Sequence, residues 1–302
     1  LKALIVGTGV IGAIYGWALS EAGVDVTHFV RKGKQGNFKD GVSPELLDER
    51  KGHLKYNATE YALKCVEEIS HADQYELIVV STNVHQVEEA LETLVPVSGQ
   101  AIFLIFTGNW EGTAFIRDDG AYWTNLRSEV HLGEVTGQPT GKLEKVKALF
   151  ARADMRPDVQ ESILHWLWLH NASVIGFAAG FAKYRDVAAY LRDKALVRES
   201  ILSTQELCEL CRLRGADLEK YPEMGYLNLP AWLMAPLFRL NLARNESMQR
   251  YTAHAASAGS LHETKVYYAS MMKTAKELGF EMPHTEALGI YLDNLWELWR
   301  HR

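Results

Sequence analysis

Residues 7–12 read Gly7-Thr8-Gly9-Val10-Ile11-Gly12, and what flanks them decides what the chain can become. Before them runs Lys2–Gly7 (KALIVG), a short apolar stretch of the kind that forms a buried parallel strand. After them Ile11, Ile14, Tyr15, Ala18, Leu19 and Ala22 recur at helical spacing, and Gly23 stands where a helix ends. Asp25–Val30 (DVTHFV) reads as a second strand. A G-x-G-x-x-G alone is weak evidence and can be a glycine turn that binds nothing. Between a strand and a helix, in a unit of about 30 residues, it predicts a dinucleotide-binding turn. Gly7 permits the tight turn, Gly9 lets the backbone approach a pyrophosphate, and Gly12 lets helix and strand pack closely. The helix N-terminus offers free N–H groups to the phosphates, so Gly7, Thr8, Gly9, Val10, Ile11 and Gly12 are the first expected cofactor residues.

The tip of the second strand selects between cofactors. An NAD site wants a carboxylate there for the ribose 2′-OH. This chain has Val30-Arg31-Lys32-Gly33-Lys34, with no carboxylate. Arg31 and Lys32, helped by Lys34, suit a 2′-phosphate through charge-assisted hydrogen bonds, which favours NADP(H); a merely solvated basic turn is the alternative.

Strands and helices go on alternating through the N-terminal half. A hairpin excursion is expected over Leu46–Val66, turning at Lys51-Gly52. Further strands are read at Glu76–Ser81, Ala101–Phe106, Tyr122–Asn125 and Glu129–Leu132, and helices at Val84–Leu94 and Thr140–Ala153. After Pro157 the strand signal stops, and helices are expected at Val159–Lys183, Asp186–Arg214, Met248–Ala256, Leu261–Leu278 and Thr285–Trp299. The expected fold class is α/β: a Rossmann-type doubly wound parallel sheet over residues 1–157, followed by an all-α substrate and dimerisation domain over 158–302.

Composition narrows the function classes. The chain has 302 residues, 47% of them hydrophobic, and a net charge of −6, which argues against nucleic acid or anionic membrane as the main partner. Cys65, Cys208 and Cys211 are an odd number of cysteines, and no signal-peptide pattern opens the sequence, so a reducing, cytoplasmic location is expected. Ser162–Ala182 is 21 residues without a formal charge and carries a Gly176/Gly180 pair at G-x-x-x-G spacing. His165, His170, Asn171 and Ser173 are costly in lipid, so a helix buried on all sides is the better reading. No metal site is expected: Cys208-Glu-Leu-Cys211 has no second ligand pair, and Val266 stands where His262-Glu263 would need a second histidine.

These features together resemble the ketopantoate reductase (2-dehydropantoate 2-reductase) family, over nearly the whole chain. Ser81-Thr82-Asn83-Val84-His85-Gln86-Val87 is similar to its Lys-x-x-Gln segment near the nicotinamide, and Thr107-Gly108-Asn109 to its Asn-Gly loop. Trp166–Gly176 is similar to its first long C-terminal helix, Asn245-Glu246-Ser247-Met248 to its Ser-Ser-Met segment, and Leu278-Gly279-Phe280-x-x-Pro283 to its closing pattern. The resemblance implies cofactor contacts from Thr82, Asn83, Gln86 and Asn109, substrate contacts from Asn171 and Ser247, and a functional glutamate at Glu263. It also marks two departures: the family's cofactor-proximal lysine is Asn83 here, and its catalytic lysine, four residues before Asn171, is Leu167.

Reducing a keto group leaves an alkoxide that needs a proton, and leucine supplies none. His170, three residues beyond Leu167, is the expected replacement donor, with Asn171 beside it and Glu263 orienting; a core histidine is the competing reading. Asn83 and His85 are second choices. The function implied is NADP(H)-dependent hydride transfer to a small 2-keto acid or related carbonyl in an interdomain cleft. A catalytically degenerate NADP(H)-binding sensor and an opine- or hydroxyacid-type dehydrogenase stay open, and the apolar, tryptophan-bearing helices leave room for a homodimer.

Overall fold

A computed structural model describes residues 1–43, 45–50, 55–58, 60–106, 112–116, 122–245, 249 and 258–300. The chain divides into two compact units, Leu1–Ile163 and Leu164–Arg302. In chain order the first contains β1 (Lys2–Val6), β2 (Asp25–Phe29), β3 (Glu45–Asp48), β4 (Lys55–Ala58), β5 (Cys65–Val66), β6 (Leu77–Val80), β7 (Ile102–Ile105), β8 (Gly112–Ile116), β9 (Tyr122–Leu126), β10 (Glu129–Leu132) and β11 (Arg156–Val159). Its helices are α1 (Val10–Glu21), α2 (Val87–Leu94) and α3 (Gly141–Arg152).

Five strands form one parallel sheet in the order β5-β2-β1-β6-β7, so the chain leaves β1 towards β2 and returns on its other side to β6. This is the Rossmann-type order, with its reversal between β1 and β6. Side chains alternate across the sheet as the strand period requires. Ala3, Ile5, Leu77 and Val79 enter one core with α1 and α3; Leu4, Val6, Ile78 and Val80 enter another with Leu94 of α2. Parallel strands buried on both faces are why these segments read as unbroken apolar runs.

The excursion is a hairpin, β3 antiparallel to β4, although its Lys51-Gly52 turn lies outside the described residues. It joins a second sheet, β4-β3-β9-β8, in which β3 runs parallel to β9. Strand β8 was not foreseen. This second sheet packs against α1 on the side away from β1, so α1 is buried on nearly every face rather than on one stripe. Arg50 ties the assembly together. Its guanidinium bonds Asp48, Glu21 (2.9 Å) and the Ala153 carbonyl (3.1 Å), and lies 4.8 Å from the Trp17 ring. Burial alone would lower its pKa, but the two carboxylates raise it, so the charge is kept.

Two expectations near the boundary differ from the structure. Pro157 lies within β11, which pairs with β10 in a two-stranded sheet, and the long helix starts at Ile163 rather than Val159. Proline lacks an N–H and is tolerated on an edge strand, so it does not end the β structure here.

The second unit is helical: α4 (Ile163–Ala182) leads into α5 (Val187–Arg192), α6 (Lys194–Leu213), α7 (Ala231–Arg244), α8 (Ala258–Leu278) and α9 (Pro283–Arg300). The single helix expected over Asp186–Arg214 is two, because Asp193 caps α6 by accepting from Leu196 N at 3.0 Å, as Asp186 caps α5. Helix α7 was not foreseen; Pro236 inside it masks the pattern. The helix expected over Met248–Ala256 lies outside the described residues.

Helix α4 holds the uncharged run, and no described helix is long and apolar enough to cross a membrane. Its glycine pair serves close packing on α6. A Cβ at Gly176 would stand 2.8 Å from the Ser200 carbonyl oxygen and 2.9 Å from Thr204 N, both backbone atoms. Gly176→Ala, which in an exposed helix gains about 1 kcal/mol, is therefore expected to cost about 2 kcal/mol in denaturant melts.

A pH dependence also follows. His28 on β2 is fully buried, with Nε2 2.9 Å from the Tyr61 hydroxyl, and burial lowers its pKa from 6.5 to about 4. The unfolded chain binds the proton more readily, so this group's contribution is whole above pH 6.5 and is lost as pH falls towards 4. The loss is on the order of 3 kcal/mol by linkage. His28→Gln is expected to flatten the fall in unfolding free energy between pH 7 and pH 4.5, measured by urea titration at each pH.

Candidate functional site

A cavity of about 460 Å³ opens at the C-terminal ends of β1, β2 and β6, where the strand order reverses. Gly7, Thr8 and Gly9 form one wall, Arg31, Lys34, Asn37 and Phe38 another, and Ser81, Thr82, Asn83, Gln86 and Glu89 the side towards α2. Ligands of open α/β sheets bind at this place, because the strands on either side diverge there into separate loops.

The glycine turn is shaped by contact with β6. Gly7 has φ +97°, and a Cβ on it would stand 2.8 Å from the Ser81 carbonyl oxygen. Ser81 N donates to the Val6 carbonyl (2.8 Å), and its hydroxyl donates to the Val6 and Gly7 carbonyls (2.9 and 3.1 Å). A Cβ on Gly12 would meet Ser81 Oγ at 2.6 Å and the Gly7 carbonyl closer still. Gly9 is different: a Cβ there would meet nothing within 4 Å among the described residues. The fold has no need of glycine at residue 9, but a ligand approaching the backbone does.

The residues present fit a dinucleotide on two further counts. Gly9 begins α1 without a side-chain cap, and no acidic residue lies in the first turn, so the first N–H groups are left to an anion. Thr82 Oγ1 is buried on the cavity wall with no hydrogen-bond partner among the described residues. Val10 and Gly12 are buried and Ile11 packs on the main core, so these three offer a ligand only their backbone.

At the tip of β2 the three cations separate. Arg31 and Lys34 border the cavity; Lys32 does not. Asn83 precedes a short 3₁₀ turn, Val84–Gln86, accepting from Gln86 N at 2.8 Å, and is exposed at the cavity edge, as His85 is exposed beside it. Asn109 and Ser247 lie outside the described residues. Asn37, Phe38 and Ser81 line the cavity and were not singled out from sequence. Of these only Ser81 carried a signal, a small hydroxyl residue directly after an apolar strand.

In the helical unit, Asn171 and Leu167 are half-buried on one side of α4. His170 lies on the buried side, 4% exposed, its ring stacked on Trp166 with centroids 4.9 Å apart. Spacing makes His170 a neighbour of Leu167, but the turn between them carries it from the half-open side into the core. Glu263 on α8 is half-buried and accepts from the Tyr267 hydroxyl at 3.4 Å; burial first, and then this carboxylate, push the Tyr267 pKa up. Cys208 and Cys211 are buried, and burial raises both thiols, Cys211 to about 12, so neither is a thiolate at neutral pH. His262 stacks on Trp296, and no group of three metal-ligating side chains exists among the described residues.

Comparison with known proteins agrees with the fold. Residues 3–112 match the family model for ketopantoate reductase PanE/ApbA, so the resemblance read from the sequence is borne out over the segment holding the glycine turn. No curated protein matches the chain. Among solved structures, the 2-dehydropantoate 2-reductase from Geobacter metallireducens GS-15 is similar at 17% identity and TM-score 0.70, over 97% of this chain and 99% of that one. The ternary structure of D-mandelate dehydrogenase with NADH and anilino(oxo)acetate is similar at 14% identity and TM-score 0.73, over 98% of each chain. The PanE/ApbA family ketopantoate reductase from Ralstonia eutropha JMP134 is similar at 16% identity and TM-score 0.70, over 100% of each. At these identities the likeness shows the shared fold, a Rossmann-type sheet followed by a helical unit.

The glycine geometry separates folding from binding. Gly12→Ala is expected to cost about 3 kcal/mol of stability or to prevent folding. Gly9→Ala is expected to change stability by less than about 1 kcal/mol while weakening dinucleotide binding at least about tenfold. Calorimetric titration and melting curves on the two variants check both.

Proposed function

We propose that the protein is an NADP(H)-dependent oxidoreductase acting on the carbonyl or hydroxyl group of a small 2-keto acid or related compound. The observation that carries this reading is the pairing of two walls in one cavity: the glycine turn on β1, and Arg31 with Lys34 beyond β2. A carboxylate at that tip would accept from a free 2′-OH and repel a 2′-phosphate; two cations attract the phosphate instead. When bound, the dinucleotide supplies the hydride that a carbonyl carbon takes up. The first-turn N–H groups of α1 and the Thr82 hydroxyl hold its phosphates, Arg31 and Lys34 hold the 2′-phosphate, and Asn83 and Gln86 offer neutral hydrogen-bonding groups towards the nicotinamide end.

On the substrate side, Asn171 and Ser247 are the proposed contacts, and Glu263 the proposed orienting carboxylate. His170 is the proposed proton donor, though its stacking under Trp166 supports a packing role as well. Leu167 stands where the resemblance places a lysine, so the substrate proposed is a keto acid other than ketopantoate. The same leucine, together with the burial of His170, favours a second reading: a protein that binds NADP(H) and catalyses nothing. The three buried free thiols suit a reducing, cytoplasmic setting.

Thermal-shift titration with NADPH and NADH tests the cofactor. NADPH at about 100 times its Kd is expected to stabilise the chain by about 2.7 kcal/mol, with NADH giving less at equal concentration; equal or greater stabilisation by NADH overturns the assignment. NADPH oxidation over a panel of 2-keto acids then tests turnover, and silence across a broad panel favours the binding-only reading. With an active substrate in hand, Asn171→Ala is expected to raise its KM about tenfold or more and to leave the Kd for NADPH unchanged.

A further inference from the structure

We propose that Glu67, just beyond β5, is a positioning residue for cofactor choice: it holds the turn after β2 so that Arg31 and Lys34, and not Lys32, face the nucleotide cavity. The inference rests on the NADP(H) reading above.

The turn needs such a tie because packing does not place it. Residues 31–40 are exposed throughout except Phe38, which is half-buried. The nucleotide cavity lies on one side of this segment, and a second cavity, of about 470 Å³, on the other, walled by Gly33, Gln35, Leu63 and Glu67. Phe38 borders both. The segment is thus a thin partition with open space on each side, and its position is set by polar ties.

Two of those ties reach β5. Gln35 N donates to Glu67 Oε1 at 2.9 Å, and Gln35 Nε2 donates to the Cys65 carbonyl at 2.9 Å. Strand β5 is itself paired with β2 through His28 with Cys65 and Phe29 with Val66, so Glu67 is carried by the sheet and not by the loop it holds. Gly33, at φ +78°, makes the bend of the loop in a region that favours glycine. The nearby Gly33 and Gln35 amides hold the Glu67 carboxyl below its ordinary pKa.

Converging backbone amides form a concavity that binds anions. Here the Glu67 carboxylate already accepts from one of them, Gln35 N. The Gln35 amide, on Glu67, and the Lys34 amide, on the Arg31 carbonyl, are therefore already used within the protein, and a 2′-phosphate is left to the side chains of Arg31 and Lys34. A residue 36 positions after Arg31 thereby decides which cations reach the cofactor.

The test uses the full chain as wild type, Glu67→Ala, Glu67→Gln and Gln35→Ala. Kd values for NADPH and NADH are measured by tryptophan fluorescence, together with amide hydrogen exchange over residues 31–38. Glu67→Ala is expected to weaken NADPH about tenfold and NADH by less than about twofold, with faster exchange in the turn. Glu67→Gln keeps an acceptor oxygen and is expected to retain most of the NADPH affinity. Gln35→Ala cuts the neighbouring tie, is expected to show a smaller loss of the same selective kind, and serves if Glu67→Ala does not fold. Three results overturn the proposal: NADPH binding unchanged or tightened in Glu67→Ala and Glu67→Gln alike, as a mere nearby negative charge would give; equal losses for both cofactors; or unchanged exchange in the turn. If wild type already binds NADH as tightly as NADPH, the cofactor reading fails and this inference with it, and that failure shows in the wild-type titration alone.

Discussion

No side chain fits at residue 12, because a Cβ there would press on Ser81 Oγ and on the Gly7 carbonyl. That absence lets α1 settle directly on β1 and lets the end of β6 close against the end of β1 through Ser81 N and the Val6 carbonyl. The cavity at the strand-order reversal exists because these three elements meet so tightly. With α1 drawn in, Ile14, Tyr15, Ala18 and Leu19 are fully buried, and the second sheet closes over the helix from the other side. The turn that receives an anion and the core that stabilises the unit are thus two results of one steric constraint.

The second unit repeats the device between two helices. Gly176 and Gly180 leave α4 without side chains where α6 presents Ser200 and Thr204, whose hydroxyls turn back onto the carbonyls of Leu196 and Ser200. Each of those polar groups is satisfied within its own helix, so an apolar helix can lie against it without leaving a donor stranded. A segment that lacks charge for its whole length is then an interior helix, and the polar residues scattered through it mark where it meets neighbours.

Much of this was legible in the amino-acid order, where the signal was local. The β1–α1–β2 unit shows itself through an unbroken apolar run, a period near four, and glycines between them, all within thirty residues. The edges were harder. Strand β11 has the sequence Arg-Pro-Asp-Val, which carries no alternation of its own and exists because β10 lies beside it. Helix α7 hides behind Pro236, and the break at Asp193 is a capping event inside what looks like one long apolar-periodic stretch. At the site, Gly9 and Arg31 were readable because their roles follow from backbone and charge. Glu67 was not, because its part depends on β5 pairing with β2, a contact that periodicity does not encode. For His170 the sequence left a proton donor and a core histidine both open, since spacing along a helix says which residues are neighbours and not which side the rest of the fold covers; its burial favours the second.

Arg50 and the aromatic group around Tyr15 bear on the order in which the chain completes itself. Arg50 needs the Ala153 carbonyl, and Tyr15 packs on Phe106 and on Phe150, which belongs to α3. Met155 and Leu149 share the core that holds Ile5. During synthesis, then, the glycine turn leaves the ribosome well before α3 and has no finished core to rest on until more than 140 further residues have followed it. The nucleotide half of this protein is early in sequence and late in assembly, and a shortened chain ending near residue 112 would expose one side of α1 to water.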